Sequence, residues 1–408
     1  MSQRSLYIIV LASFLVLSSA ALILLFAPFT IDDAYITFTY AKNAASGRGF
    51  VFRDREYVEA TSSFLWALLL TPFEWFGVGS EAGSKILGVL FFFASVALAY
   101  VLTERQLKSA KEKYPTIWPG LLASAISVTT ASFSMWAVQG MENPLVSFLV
   151  MASVYFFTRE IQQQKGNLSF LPIALMELAR PEGFIFCGFF VLLRFCYGII
   201  YPTLRGRWTY LWLVKVACVL IPYESWGYWY YGALLPNTVK SKVGSVDLAR
   251  LKDGLNYLMS WVAIQPVLFA LLTVSIFLLL LFRRRYSFSA HKPDDFLAFC
   301  LPILGVIVLQ LLFMLITGGD WMPGARFASQ LGPLLGPLSV VLWFHLTPLL
   351  AAQPSLSARK RIFWHSAPFL FLALYLAYSI VLVVYKRPNF EWIQAGSERA
   401  IGAVIAQA

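Results

Sequence analysis

The stretch LYIIVLASFLVLSSAALILLFAPF at Leu6–Phe29, followed directly by TIDDAYITFTY at Thr30–Tyr40, decides the class of this chain. A helix crosses hydrocarbon with about 20 apolar residues, and Leu6–Phe29 exceeds that without one charge. Two carboxylates, Asp32 and Asp33, then stand at its far end. The run reads as a first membrane span with Arg4 before it. A cleaved signal peptide is the alternative, since Ser18–Ala21 offers small residues, but the apolar run is longer than a usual signal core.

Composition extends the same reading over the whole chain. Of 408 residues 59% are apolar and 13% charged, with a mean hydropathy of +0.69. A soluble domain lies nearer 45–50% apolar and about 25% charged. The 16% of aromatic residues suits belts at the membrane surface. No Pro/Gly/Ser-rich linker divides the sequence. One membrane domain over 1–385 is therefore expected, with 31–80 as a first outer loop and 386–408 as a short outer tail.

Further apolar runs occupy Ile86–Leu102, Ile117–Val138, Leu145–Phe157, Leu168–Leu178, Phe184–Ile200 and Trp208–Tyr223. Leu258–Phe282, Phe296–Ile316, Phe327–Leu346 and Phe363–Tyr385 follow. The expected fold is an all-α polytopic membrane protein with about eleven crossings. Phe64–Phe76 is too short to span and carries Pro72 and Glu74, so it is expected to lie in the interface.

Charge orients these spans. With the N-terminus in the cytoplasm, the cytoplasmic segments hold 16 basic and five acidic residues, and the outer segments hold 14 of each. The whole net charge of +11 then lies on one side. Reading Leu168–Ile200 as a single pass would turn Arg283–Arg285 outward, so two short passes are expected there. The sequence pI of 9.4 thus reports topology and anionic headgroups, and does not argue for nucleic acid.

This topology gathers five polar clusters on the outer face. They are DDAYITFTYAKNAASGRGFVFRDREYVEAT at 32–61, QGMEN at 139–143, RPEG at 180–183, YYGALLPNTVKSK at 230–242 and GGDWMPGAR at 318–326. Each has a plain structural reading. Asp32 and Asp33 suit a helix N-terminus, and Asn43, Gly47 and Gly49 suit a helix end with a turn. RPEG suits the turn between two short helices, yet Arg180 and Glu182 at membrane depth are costly unless paired or wet.

The available chemistry is restricted. His291, His345 and His365 fall on the cytoplasmic half and show no metal-ligand spacing. Cys187, Cys196, Cys218 and Cys300 lie in apolar runs without a CxxC pair. An outward site must use carboxylates, hydroxyls, amides and cations. A carboxylate base taking the proton of an acceptor hydroxyl, beside cations that stabilise a departing phosphate, suits sugar transfer from a lipid phosphate. Arg55, Lys240, Lys242 and Arg326 are candidate cations. Acidic residues leave a divalent cation, Mg2+ or Ca2+, open, although no DxD-like or EF-hand spacing asks for one.

The first cluster, with VEATSSFLW after it, resembles the first outer loop of GT-C class glycosyltransferases. It is most similar to bacterial transferases of the terminal arabinofuranosyltransferase type, and more distantly to protein mannosyltransferases and the aminoarabinose transferase of lipid A. The other four motifs recur in the same order. The resemblance implies a polyprenyl-phosphate sugar donor and a glycan, glycolipid or protein acceptor. It also implies a site on the periplasmic face of a bacterial inner membrane, with Asp32 and Asp33 as the catalytic acids. It carries substrate contacts onto Glu59, Glu142, Arg180, Asn237, Thr238, Lys242, Asp320 and Arg326. Tyr35, Tyr40, Asn43, Thr61, Glu182, Lys240 and Trp321, from the same clusters, complete the expected set. Thr39 and Asn143 depart from the family pattern, where Arg and Thr are common, and Lys240 is an additional cation. The ending NFEWIQAGSERAIGAVIAQA falls where relatives open a soluble outer domain, which is expected to be absent here. Transfer of arabinose or mannose is the expected activity; an oligosaccharide polymerase or ligase and a lipid-sugar flippase or transporter are the alternatives.

Overall fold

The computed structural model describes residues 3–108, 118–201, 204, 206–233, 247–266, 268–270, 272–273, 276, 295–322, 324–351, 378 and 381. Its described residues form helices and turns, with no strand among them. In chain order the helices are α1 (Gln3–Phe26), α2 (Ala34–Ala45), α3 (Phe64–Trp75), α4 (Ser80–Gln106), α5 (Trp118–Val128), α6 (Ala131–Met135) and α7 (Asn143–Gln163). They continue as α8 (Phe170–Ala179), α9 (Gly183–Ile200), α10 (Arg207–Tyr231), α11 (Leu248–Ile264), α12 (Asp295–Thr317) and α13 (Gly332–Ala351).

Among the described residues, five stretches are long and apolar enough to cross a membrane: Ser80–Gln106, Asn143–Gln163, Gly183–Ile200, Asp295–Thr317 and Arg326–Leu346. The chain is a multi-pass membrane protein. Burial separates these helices into inner and outer members. About the centre, 78% of the α7 window and 89% of that over Arg326–Leu346 are buried, against 33% for α4. Helices α7 and α13 therefore form the middle of the bundle, while α4 turns Ile86, Leu90 and Phe93 outward. The α4 N-terminal half also packs inward, where Phe92 stacks on Phe133 at 4.6 Å.

The expected single span Ile117–Val138 is broken. α5 ends at Val128, and the next helical piece, Ala131–Val138, is bent from it by 69°. The sequence at the break explains the bend. Thr129 and Thr130 turn their hydroxyls onto carbonyls of the preceding turn, at 2.8 Å from Ala125 O and 3.0 Å from Ile126 O. Such back-bonding competes with the helical ladder and bends it. The Ser134 hydroxyl takes up the Val128 carbonyl that the break releases. The bend lays residues 131–143 between the segment 30–66 and the segment around Arg326.

Leu168–Leu178 and Phe184–Ile200 appear as α8 and α9, joined at RPEG as expected. The turn is tight because Gly183 N–H donates to Arg180 O at 2.8 Å. A Cβ on Gly183 would meet the Met176 carbonyl at 2.3 Å, so the two helices need glycine there. At their other ends, buried Glu160 of α7 accepts from Ser169 N–H at 2.8 Å and pairs with Arg194 of α9 at 2.8 Å. Arg194 also lies over the Trp208 ring at 3.5 Å. This knot ties α7, α8, α9 and α10 on the side away from RPEG. The second half of Leu258–Phe282, most of Phe363–Tyr385 and all of 386–408 lie outside the described residues.

Candidate active site

The acidic pair sits where the chain turns from α1 into α2. Asp33 occupies the N-cap position of α2 without a side-chain cap, and its N–H donates to Asp32 Oδ1 at 2.9 Å. Asp32 is exposed and Asp33 half-buried. The pair is thereby presented from a fixed turn at the positive end of a helix, a place suited to carboxylates.

QGMEN lies against this turn. Ile31 N–H donates to Gln139 O at 3.2 Å, and Trp66 Nε1 donates to Gly140 O at 2.9 Å. Gly140 has φ of +90°, and a Cβ there would stand 3.1 Å from both Ala34 and Phe38. Only glycine lets the second motif approach α2 this closely.

Two residues further on, Glu142 enters a buried charge cluster. Arg180 Nη1 stands 2.6 Å from Glu142 Oε1, and Arg180 Nε pairs with Glu182. Arg326 Nε stands 2.6 Å from Asp320 Oδ2. The two guanidinium groups approach the Phe327 ring at 5.4 and 5.1 Å. Phe327 N–H is held by Tyr257 Oη at 3.1 Å. Three expected clusters, QGMEN, RPEG and GGDWMPGAR, thus meet in one network of two arginines and three carboxylates. Trp321, in the third of these clusters, is 64% exposed.

The remaining first-loop residues form a second group along α2. Thr37 and Tyr40 lie on one face of that helix and meet the segment 58–61. The Tyr40 hydroxyl donates to Val58 O and accepts from Ala60 N–H at 2.9 Å, so it brackets Glu59. Thr37 and Thr61 hydroxyls meet at 3.1 Å. The Asn43 amide donates to Val51 O at 2.8 Å and Phe52 O at 3.1 Å, fixing the loop after the Gly47 and Gly49 turn. Burial, with the charge of Glu224 adding to it, pushes the Glu59 carboxyl up to about 7. Burial likewise raises the Tyr40 hydroxyl.

The aromatic end of α10 closes this side. Phe64 packs on Trp226 at 5.0 Å, Tyr57 meets Tyr230 at 5.0 Å, and Tyr231 Oη donates to Phe50 O at 2.8 Å. Asn237, Thr238, Lys240 and Lys242 lie outside the described residues. Among the described residues, no group of three or more His, Cys, Asp or Glu side chains is arranged to hold a metal ion.

Two known structures share this architecture. ArnT from Cupriavidus metallidurans bound to undecaprenyl phosphate superposes with a TM-score of 0.55 at 13% identity, covering 95% of this chain and 74% of that one. The oligosaccharyltransferase AglB from Archaeoglobus fulgidus, in complex with an inhibitory peptide and a dolichol-phosphate, gives 0.52 at 13% identity, covering 95% and 56%. The fold is of the GT-C type. By sequence, the chain is 26% identical over 345 residues to the terminal beta-(1->2)-arabinofuranosyltransferase of Mycobacterium tuberculosis. That match takes in 76% of this chain and 52% of the relative, so the chain spans about half the relative's length. No family model matches it.

Two residues of this candidate site escaped the sequence reading. Glu81 of α4 accepts from Thr30 and Tyr35 on either side of the acidic pair. Tyr257 of α11 holds the backbone at Phe327. Neither stands in one of the five polar clusters.

Proposed function

We propose that the chain is a glycosyltransferase that moves a sugar from a polyprenyl-phosphate donor to a glycan, lipid or protein acceptor on the outer face of a bacterial inner membrane. The observation that carries the proposal is the meeting of three ordered motifs at one place. The acidic turn, QGMEN and the Arg180–Arg326 cluster are tied together through the backbone at Ile31, Gln139 and Gly140. The shared fold with ArnT and AglB and the sequence likeness to an arabinofuranosyltransferase support the same reading.

In this mechanism Asp32 or Asp33 takes the proton of the acceptor hydroxyl as that oxygen attacks the anomeric carbon. The bond from anomeric carbon to phosphate oxygen breaks, and polyprenyl phosphate leaves with the bonding pair. The neighbouring acid orients the base or binds the sugar. Adjacent carboxylates do not flank one bond as glycosidase pairs do.

The cations divide into two groups. Arg180 and Arg326 are committed to Glu142, Glu182 and Asp320, so their role is to hold the floor of the site. Stabilising the departing phosphate falls to exposed Arg55 and to Lys240 and Lys242. Glu59, poised near neutrality beside an aromatic wall, binds sugar hydroxyls.

The test is turnover of undecaprenyl-phosphate arabinofuranose and undecaprenyl-phosphate mannose by purified protein with Asp32→Asn and Asp33→Asn. Loss of turnover in at least one variant supports the assignment of the base. Full activity in both removes it.

A further inference from the structure

The turn that carries Asp32 and Asp33 is held from both sides by one carboxylate. Glu81 lies in the first turn of α4. Its Oε1 accepts from the Thr30 hydroxyl at 2.7 Å, and its Oε2 accepts from the Tyr35 hydroxyl at 3.1 Å. Thr30 stands two residues before Asp32, and Tyr35 two residues after Asp33. Lys85, one turn further along α4, completes the arrangement. Its Nζ is 3.5 Å from Glu81 Oε1 and donates to Ala27 O at 2.7 Å. The segment 27–35 is thus attached to a single 27-residue helix at three points, with the acidic pair in the middle.

We infer that Glu81 is a positioning residue for the acidic pair. It does not touch the reacting atoms; it sets the height and rotation of the turn that presents them. This inference rests on the proposed role of Asp32 or Asp33 as base. The physical reason is the steep dependence of rate on placement. Hydrogen bonds to a charged acceptor are stronger than neutral ones, and a displacement of about 1 Å at a reacting group can cost on the order of 100-fold in rate. Without Glu81 the segment keeps its backbone bond from Ile31 to Gln139 and the Lys85 contact to Ala27 O, but loses the two side-chain contacts that flank the acidic pair. Exposure of the Glu81 side chain, at 48%, means that its removal opens no buried cavity. Catalysis should therefore suffer more than folding.

The experiment compares wild type with Glu81→Ala, Glu81→Gln, Thr30→Val and the Glu81→Ala/Thr30→Val double variant, using undecaprenyl-phosphate arabinofuranose and undecaprenyl-phosphate mannose as donors. Glu81→Ala is expected to lower kcat by about 10- to 100-fold with donor KM changed by less than about threefold, because donor contacts are intact. Glu81→Gln keeps an acceptor for Thr30 and offers its amide to the Tyr35 oxygen, so it should recover most of the loss. Thr30→Val should cost much less in the Glu81→Ala background than in wild type, since the two act through one contact.

A wild-type kcat in Glu81→Ala, beside an inactive Asp32→Asn or Asp33→Asn, overturns the positioning role and leaves the base assignment standing. Additive losses in the double variant overturn it as well. Full activity of both Asp variants overturns the base assignment and this inference together. If Glu81→Ala fails to fold, Thr30→Val alone carries the test: a lowered kcat at unchanged donor KM is expected, and a wild-type kcat is the contrary result.

Discussion

Arg180→Met removes the cation between two buried carboxylates. Arg180, Glu142 and Glu182 are 4%, 2% and 9% exposed, so water replaces little of what is lost. The guanidinium lies 2.6 Å from Glu142 and pairs with Glu182 through Nε, and its charge also reaches Asp320. Removing one partner of a buried ion pair costs about 3–5 kcal/mol, because the other charge stays buried without compensation. Here two acids lose their partner at once, which places the expected loss at the upper end, about 5 kcal/mol. Folded proteins have only about 5–15 kcal/mol in hand. The variant should melt well below wild type, read by tryptophan fluorescence on heating in detergent micelles. Arg180→Met combined with Glu142→Gln and Glu182→Gln leaves no unpaired charge and should regain most of the loss. Wild-type melting of Arg180→Met, or a triple variant less stable than the single one, would refute the ion-pair reasoning.

Three further expectations can be tested on the same preparation. Glu59 holds its proton up to about 7 in the fold, against 4.5 for the free group, so folding is favoured below that window and loses up to about 3 kcal/mol as pH rises through it. Glu59→Gln should flatten the profile of melting temperature between pH 5 and 8 and exceed wild type at the alkaline end; a parallel profile contradicts the assignment. Gly140→Ala puts a methyl group about 3.1 Å from Ala34 and Phe38 at a φ of +90°, so it should cost about 1–3 kcal/mol and displace the acidic turn. A variant with wild-type kcat and melting would show that the approach is loose. Tyr40→Phe removes the hydroxyl between Val58 and Ala60 and should make the loop around Glu59 cleave faster in limited proteolysis, with unchanged cleavage as the contrary result.

Much of this was legible in the sequence because lipid leaves few options. A long uncharged run must be helical there, and Arg180 with Glu182 had to be paired or wet at depth. The structure pairs them, with each other and with Glu142. The two apolar helices either side of RPEG were readable for the same reason. The break at Thr129–Thr130 was not, since hydropathy treats Ile117–Val138 as one apolar run and is blind to hydroxyls that bond the backbone. Nor was the pairing of Arg194 with Glu160, a residue that the charge pattern alone places in a cytoplasmic loop. The motifs named residues that the structure brings together in part, but not their contacts. Asn43 and Tyr40 are engaged with loop backbone, and the buried ion pairs of Arg326 could not be read from GGDWMPGAR. Glu81 was invisible because its partners lie 46 and 51 positions away.

Covalent transfer, as opposed to movement of an intact lipid, is the claim on which the account stands. Purified protein in sealed vesicles should be given undecaprenyl-phosphate arabinofuranose or undecaprenyl-phosphate mannose labelled in the sugar, with a synthetic glycoside acceptor outside. The account predicts a labelled, chain-extended glycoside and free undecaprenyl phosphate in equal amounts, both lost in the inactive Asp32 or Asp33 variant. Intact labelled lipid crossing the bilayer with no glycoside formed would contradict it.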